Sequence, residues 1–116
     1  MTLDQKNSLR LRHIIEAAEY IADFISGVSQ EEFEKNYEKQ SAVIRQFEII
    51  GEAAGKLTPE FTNQHKEIDW AKVTGMRHKM IHDYFTVDVN IVWTTAVDDV
   101  ETLKCAIEKI ISDSNK

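Results

Sequence analysis

Apolar residues recur along the chain at alternating steps of three and four in three long stretches. Leu11, Ile14, Ala18, Ile21 and Ile25 make the first, and Val43, Phe47, Ile50, Ala54 and Leu57 the second. Val89, Trp93, Ala96, Val100, Leu103, Ile107 and Ile110 make the third. Such spacing lays one apolar stripe along a helix, the seam of an antiparallel up-down bundle. Boundary residues agree. Gly27 closes the first helix, and Ser29-Gln30-Glu31-Glu32 reads as a capping box opening the second. Thr58-Pro59 stops the second, because proline cannot continue a helix. Asp69 is placed to cap a shorter helix starting at Trp70, and Asp88 or Asn90 to cap the last. A short turn of helix is expected around residues 60–66. The pattern predicts an all-α bundle of four main helices plus that short one, in a single domain spanning 1–116.

The seams leave apolar residues over. Ile15, Tyr20 and Phe24 lie off the first stripe, and Ile91, Val92 and Val97 off the last. A second apolar surface on a small bundle is usually buried against another chain, and a two-fold homodimer is the simplest symmetric arrangement. A wide stripe facing a thicker core is the alternative.

Composition narrows the function. At 116 residues with 42% apolar and 29% charged positions, the chain has the make-up of a globular helical domain. Its net charge of −6 argues against bulk electrostatic binding of nucleic acid. The charge is segregated, however. Between His65 and His82, Lys66, Lys72, Arg77 and Lys79 face only Glu67 and Asp69, so that window is +2 and the remainder −8. The lone Cys105 falls in a helical pattern and is expected to be a buried, inert thiol. The N-terminus lacks an uninterrupted apolar segment and no apolar run approaches a membrane span, so a cytoplasmic protein without signal peptide is expected.

The basic window contains GMRHKMIHDYF, residues 75–85. If residues 69–84 formed one ideal helix, Val73, Met76 and Met80 would cluster on one side with Arg77 inside the same apolar arc. An arginine there needs an anion, and Glu48 or Glu52 on the second long helix could supply one. Arg77 and His82 would diverge by about 140° on that helix. They can converge on one ligand only if the helix ends near Ile81, or if two copies meet across a symmetry axis. His78 and His82 have the i, i+4 spacing of metal ligands, but two ligands do not make a site and Lys79 follows His78. His13 and His65 are too scattered to complete one, so no metal is expected. Phosphate-loop, nucleophile-elbow and zinc-cysteine patterns are all missing from the sequence.

Arg77-His78-x3-His82-x-Tyr84 resembles the R-polar-x3-H-x-Y signature of HEPN-domain ribonuclease toxins of the HepT-like branch. The stretches ISGVSQEEF, AVIRQFEIIGEAAGKL, IDWAKVTGMRHKMIHDYF and VDVNIVW are similar to the family's core in the same order. Many members carry Asn where His78 stands, and His is an accepted polar choice there. The resemblance implies a HEPN-like bundle that dimerises and joins two motif copies in one cleft. It also implies a cofactor-free, metal-independent endoribonuclease, the toxin of a toxin–antitoxin pair. Its partner would be an MNT-type nucleotidyltransferase antitoxin that neutralises it by binding, or by transferring AMP to Tyr84, or both.

The residue types suit that chemistry. Histidine titrates near neutrality and can move the 2′-OH and 5′-oxygen protons, which gives His82 the proton transfer. A planar, permanently charged guanidinium suits the phosphorane-like transition state, which gives Arg77 phosphate binding. His78 would position or polarise one of them, and Lys79 and Lys72 would contact backbone phosphates. Two rivals stay open: a catalytically inactive HEPN dimer that binds nucleotide, RNA or a nucleotidyltransferase, and a purely structural bundle in which Arg77 is a core ion pair.

Overall fold

Local side-chain chemistry starts most of the helices. The computed structural model describes residues 4–82 and 86–115, with only the backbone of His82. Helix α1 (Gln5–Ile25) begins where the Asp4 carboxylate accepts the Lys6 N–H, and ends before Gly27, whose φ of +73° favours a residue without Cβ. Ser29 and Glu32 form the anticipated reciprocal capping box at the start of α2 (Gln30–Glu34). The Ser29 N–H, donated to the Glu32 carboxylate, and the Ser29 side chain beside it hold the Glu32 carboxyl below the usual range.

The second predicted helix is in fact two. The chain turns at Lys35 and Asn36, and the Asn36 side chain caps α3 (Tyr37–Gly55) by accepting the Lys39 N–H. Buried Gln40 holds the corner, donating to the carbonyls of Phe33 at 2.9 Å and Glu34 at 3.1 Å. A side-chain cap competes well with helix continuation at Asn. Thr58 and Pro59 then start α4 (Pro59–Gln64), the short helix expected near residues 60–66. Buried Asn7 ties this connection to α1, donating to the Thr58 hydroxyl and accepting the Thr58 N–H.

Helix α5 (Trp70–Thr74), capped by Asp69, and helix α6 (Met76–Met80) replace the single helix expected after residue 69. A two-residue antiparallel ladder follows, β1 (Ile81–His82) against β2 (Thr86–Val87), pairing Ile81 with Val87 and His82 with Thr86. Asp88 caps α7 (Val89–Thr94), which runs through a π turn at Thr95–Asp99 into α8 (Val100–Ser114).

The architecture is the predicted all-α bundle. α1 lies between α3 and α8, while α5 and α6 pack on α3. Leu11, Ile14, Ile21, Val43, Phe47, Ile50 and Ile107 are completely buried, as the stripes required. Phe33 joins them from α2, with its ring 5.3 Å from Trp93 of α7. Of the leftover apolar residues, Val92 is fully buried and belongs to the core. Ile15, Phe24 and Ile91 are half-buried, whereas Tyr20 and Val97 are each 46% exposed. Cys105 is exposed rather than buried, on the outer face of α8, and desolvation together with Glu101 pushes its thiol up. No helix among the described residues is long and apolar enough to cross a membrane.

Candidate functional site

Two glycines shape the ground beneath the basic window. A Cβ on Gly51 of α3 would stand 3.3 Å from the Thr74 carbonyl oxygen, so a glycine there lets α5 press against α3. At Gly75 the chain leaves α5 with φ −92° and ψ 2°, its N–H still bonded to the Ala71 carbonyl. The His78 N–H takes the Gly75 carbonyl at 3.1 Å, starting α6 as a separate turn. That turn ends at Met80, since Ile81 is already extended (φ −117°, ψ 115°) and its N–H returns to the Arg77 carbonyl. The Asp88 N–H closes on the Met80 carbonyl at 2.6 Å, fixing the foot of the ladder.

α6 sets Met76 and Met80 into the core and leaves Arg77, His78 and Lys79 exposed between them. At 100° per residue the three fan over about 200°, so Arg77 and Lys79 leave on opposite flanks. Arg77 turns to α3. Its Nε lies 3.5 Å from Glu48 Oε1, with the Arg77 side chain 52% and the Glu48 side chain 29% exposed. Glu48, not Glu52, is thus the partner. The expectation of an arginine enclosed in an apolar arc is corrected. The break at Gly75 and the end at Met80 leave α6 a single turn, too short to bury more than its two methionines. Arg45, three residues before Glu48 on α3, reaches the other carboxylate oxygen, Nη1 to Oε2 at 3.5 Å. One carboxylate therefore lies between two guanidiniums. Arg45 escapes the sequence reading, although its i, i+3 spacing to Glu48 is the signal that carries it.

The remaining candidates disperse. Lys72 turns away to the π turn, with Nζ 3.8 Å from Asp99 Oδ2. His78 and Lys79 make no side-chain hydrogen bond or ion pair among the described residues. His65 is held structurally. Its ring lies 4.6 Å from that of Phe61, Nδ1 is 3.4 Å from Glu67, and its carbonyl accepts the Trp70 indole N–H at 2.9 Å. Glu67 is held below the ordinary carboxylate range, first by its own backbone N–H and then by His65. Among the described residues no three His, Cys, Asp or Glu side chains gather as metal ligands would.

At His82 the ladder replaces the helix, so the divergence of about 140° from Arg77 that an unbroken helix would impose does not arise. Of the two geometries open to the sequence, an early helix end is the one present in the backbone. Tyr84 lies outside the described residues, as does the His82 side chain. The arrangement offers a half-exposed guanidinium, oriented from beneath by a carboxylate, one turn before a backbone that carries a histidine out of the helix. Such a cation can receive a phosphate without first breaking a buried pair.

Comparison with known proteins follows the same residues. The family described as Ribonuclease HepT-like matches residues 14–110. A protein of Thermococcus cleftensis named "Probable ribonuclease HepT" is 42% identical over 100 residues, covering 86% of this chain and 91% of its own. A protein of Caldanaerobacter subterraneus subsp. tengcongensis, named as an RNase by inference, is 36% identical over 101 residues, covering 87% and 90%. One from Methanocaldococcus jannaschii, named in the same way, is 38% identical over 103 residues, covering 89% and 85%. No solved structure matches the chain significantly.

Proposed function

Because the chain belongs to the HepT-like ribonuclease family, we propose that it is a metal-independent endoribonuclease whose site is built on Arg77 and His82. The single observation that supports this best is the half-exposed Arg77 guanidinium, which meets Glu48 at Nε and has no other described partner. An arginine serving phosphate has to keep donors facing solvent, as Arg77 does.

In the proposed reaction a base removes the 2′-OH proton and the 2′ oxygen attacks the adjacent phosphorus. The P–O5′ bond breaks, an acid protonates the departing 5′ oxygen, and the products are a 2′,3′-cyclic phosphate and a 5′-hydroxyl. His82 moves these protons, because imidazole exists in both forms near neutral pH. Arg77 neutralises the charge that builds on the non-bridging oxygens. His78 orients one of the two, and Lys79 and Lys72 contact neighbouring phosphates, Lys72 after release from Asp99. A homodimer joins two such motifs, so that one imidazole acts as base and the other as acid. The exposed Tyr20 and Val97 are consistent with a covered apolar face.

The protein's role is that of a toxin, opposed by an MNT-type nucleotidyltransferase antitoxin. Attack of the Tyr84 phenol oxygen on the α-phosphorus of ATP would expel pyrophosphate and leave AMP on the tyrosine. The added anion would occupy the cation that RNA requires.

The test is RNA cleavage by purified wild type, Arg77→Ala and His82→Ala, with the product ends determined. Cleavage by wild type alone, insensitive to a chelator and leaving 2′,3′-cyclic phosphate ends, is expected. Full activity in His82→Ala, or 5′-phosphate products, overturns the chemistry. Intact mass after co-expression with the antitoxin tests the tyrosine: an AMP increment on wild type and none on Tyr84→Phe.

A further inference from the structure

Glu48 is oddly placed for a site that handles phosphate. A carboxylate next to a phosphate-binding arginine repels the substrate and, left free, would weaken its binding. Yet Glu48 is bound through both oxygens, Oε2 to Arg45 Nη1 and Oε1 to Arg77 Nε, each at 3.5 Å. The two contacts differ in kind. Arg45 meets it along one helix, from the preceding turn of α3, whereas Arg77 reaches it from α6. The carboxylate therefore has a partner on its own helix that does not depend on α6.

Contact at Nε has a further result. A guanidinium presents five donors, one on Nε and four on the two terminal nitrogens. With Glu48 beside Nε, the terminal nitrogens make no hydrogen bond to any described residue, and the side chain stays 52% exposed. The end that remains is the fork that fits two oxygens of a phosphate. Glu52, one turn further along α3, is exposed and makes no ion pair to Arg77 among the described residues.

We infer that Glu48 is a positioning residue of the ribonuclease site: pinned by Arg45, it holds the Nε side of Arg77 so that the terminal nitrogens face the scissile phosphate. The inference rests on the cleavage chemistry proposed above. It also predicts a separation that a structural salt bridge would not produce. Removing the carboxylate raises local positive potential, so RNA binds as well or better, while the freed guanidinium samples unproductive rotamers and the chemical step slows.

The experiment measures kcat and KM on a short RNA for wild type, Glu48→Ala, Glu48→Gln and Glu52→Ala, each with a thermal melt. Glu48→Ala is expected to lower kcat about 10- to 100-fold while KM stays level or falls by about two- to fivefold. Glu52→Ala is expected to keep the wild-type kcat. Glu48→Gln keeps the shape and, with the charge gone, moves in the same direction, and it serves in place of Glu48→Ala if that variant fails to fold. In an Arg77→Lys background, which has no Nε to hold, Glu48→Gln is expected to cost little further. A Glu48→Gln kcat within twofold of wild type, a raised KM at unchanged kcat, or equal losses in both backgrounds overturns the assignment. Retained cleavage by Arg77→Ala would instead sink the underlying chemistry, so the two failures are distinguishable.

Discussion

Replacing Arg77 with alanine separates a structural arginine from one reserved for substrate. Were the guanidinium enclosed with Glu48, its removal would strand a buried carboxylate and cost ~3–5 kcal/mol. The pair instead has side chains 52% and 29% exposed and a separation of 3.5 Å, and pairs of that kind contribute only ~0–1 kcal/mol. Glu48 also keeps Arg45 after the substitution, so no charge is stranded. With ~2.1 cal/mol/K of unfolding entropy per residue and 116 residues, 1 kcal/mol corresponds to a Tm change of ~4 °C. Arg77→Ala should therefore melt within ~4 °C of wild type, whereas a buried pair would lower Tm by ~12–20 °C. Circular dichroism at 222 nm in matched buffer reads this directly. The small difference should shrink further in ~1 M salt, where screening acts within ~3 Å. A fall of more than ~12 °C would refute the view of Arg77 as spare from the fold.

Phe33→Ala removes a ring with 0% exposure that packs on Trp93, and should cost ~3–5 kcal/mol in chemical denaturation. Gly51→Ala places a Cβ 3.3 Å from the Thr74 carbonyl; α5 must yield by a few tenths of an ångström, so RNA cleavage should fall by more than the modest change in Tm accounts for. Glu32 has a folded pKa below its ordinary 4.5, so its capping contribution is present above pH 4.5 and lost as pH falls through the depressed value. Glu32→Gln should melt slightly below wild type at pH 7 and lack the fall in that acid window, so that the two converge below it.

Much of the fold is legible because its signals are local. Ser29, Glu32 and Asp69 cap the helices they were expected to cap, as does Asp88, one of the two candidates for the last, since each needs only a backbone N–H three residues away. Seams are equally readable, because burial follows the three-and-four spacing. The interruptions are less so. Asn36 and Gly75 carry local signals, a capping amide and a residue without Cβ, that do not by themselves tell a break from a helix that continues. The ladder at Ile81–Val87 has two residues per strand, too few for alternation to register. At the site, the existence of an arginine–glutamate contact follows from the sequence, but its exposure does not. An ideal helix placed Arg77 within the core, and the real helix is one turn long. Cys105 misled for a related reason: a helical pattern fixes which face a residue occupies only where the seam is narrow, and Cys105 falls just outside it.

The π turn at Thr95–Asp99 gives the last helix a phase adjustment, like a vernier between two scales. Ahead of it Val92 meets the core, within it Ala96 does, and beyond it Val100, Leu103, Ile107 and Ile110 do. Its wider i→i+5 loop accommodates a residue that a regular helix would have to absorb by rotating everything downstream. Deleting one residue within this turn would restore ordinary winding and leave the following stripe in place, whereas the same deletion in a regular turn at the start of α8 would swing that stripe through about 100°, exchanging oil for water along the fifteen residues of α8. The irregular turn is therefore what keeps the two halves of that long helix facing the same interior.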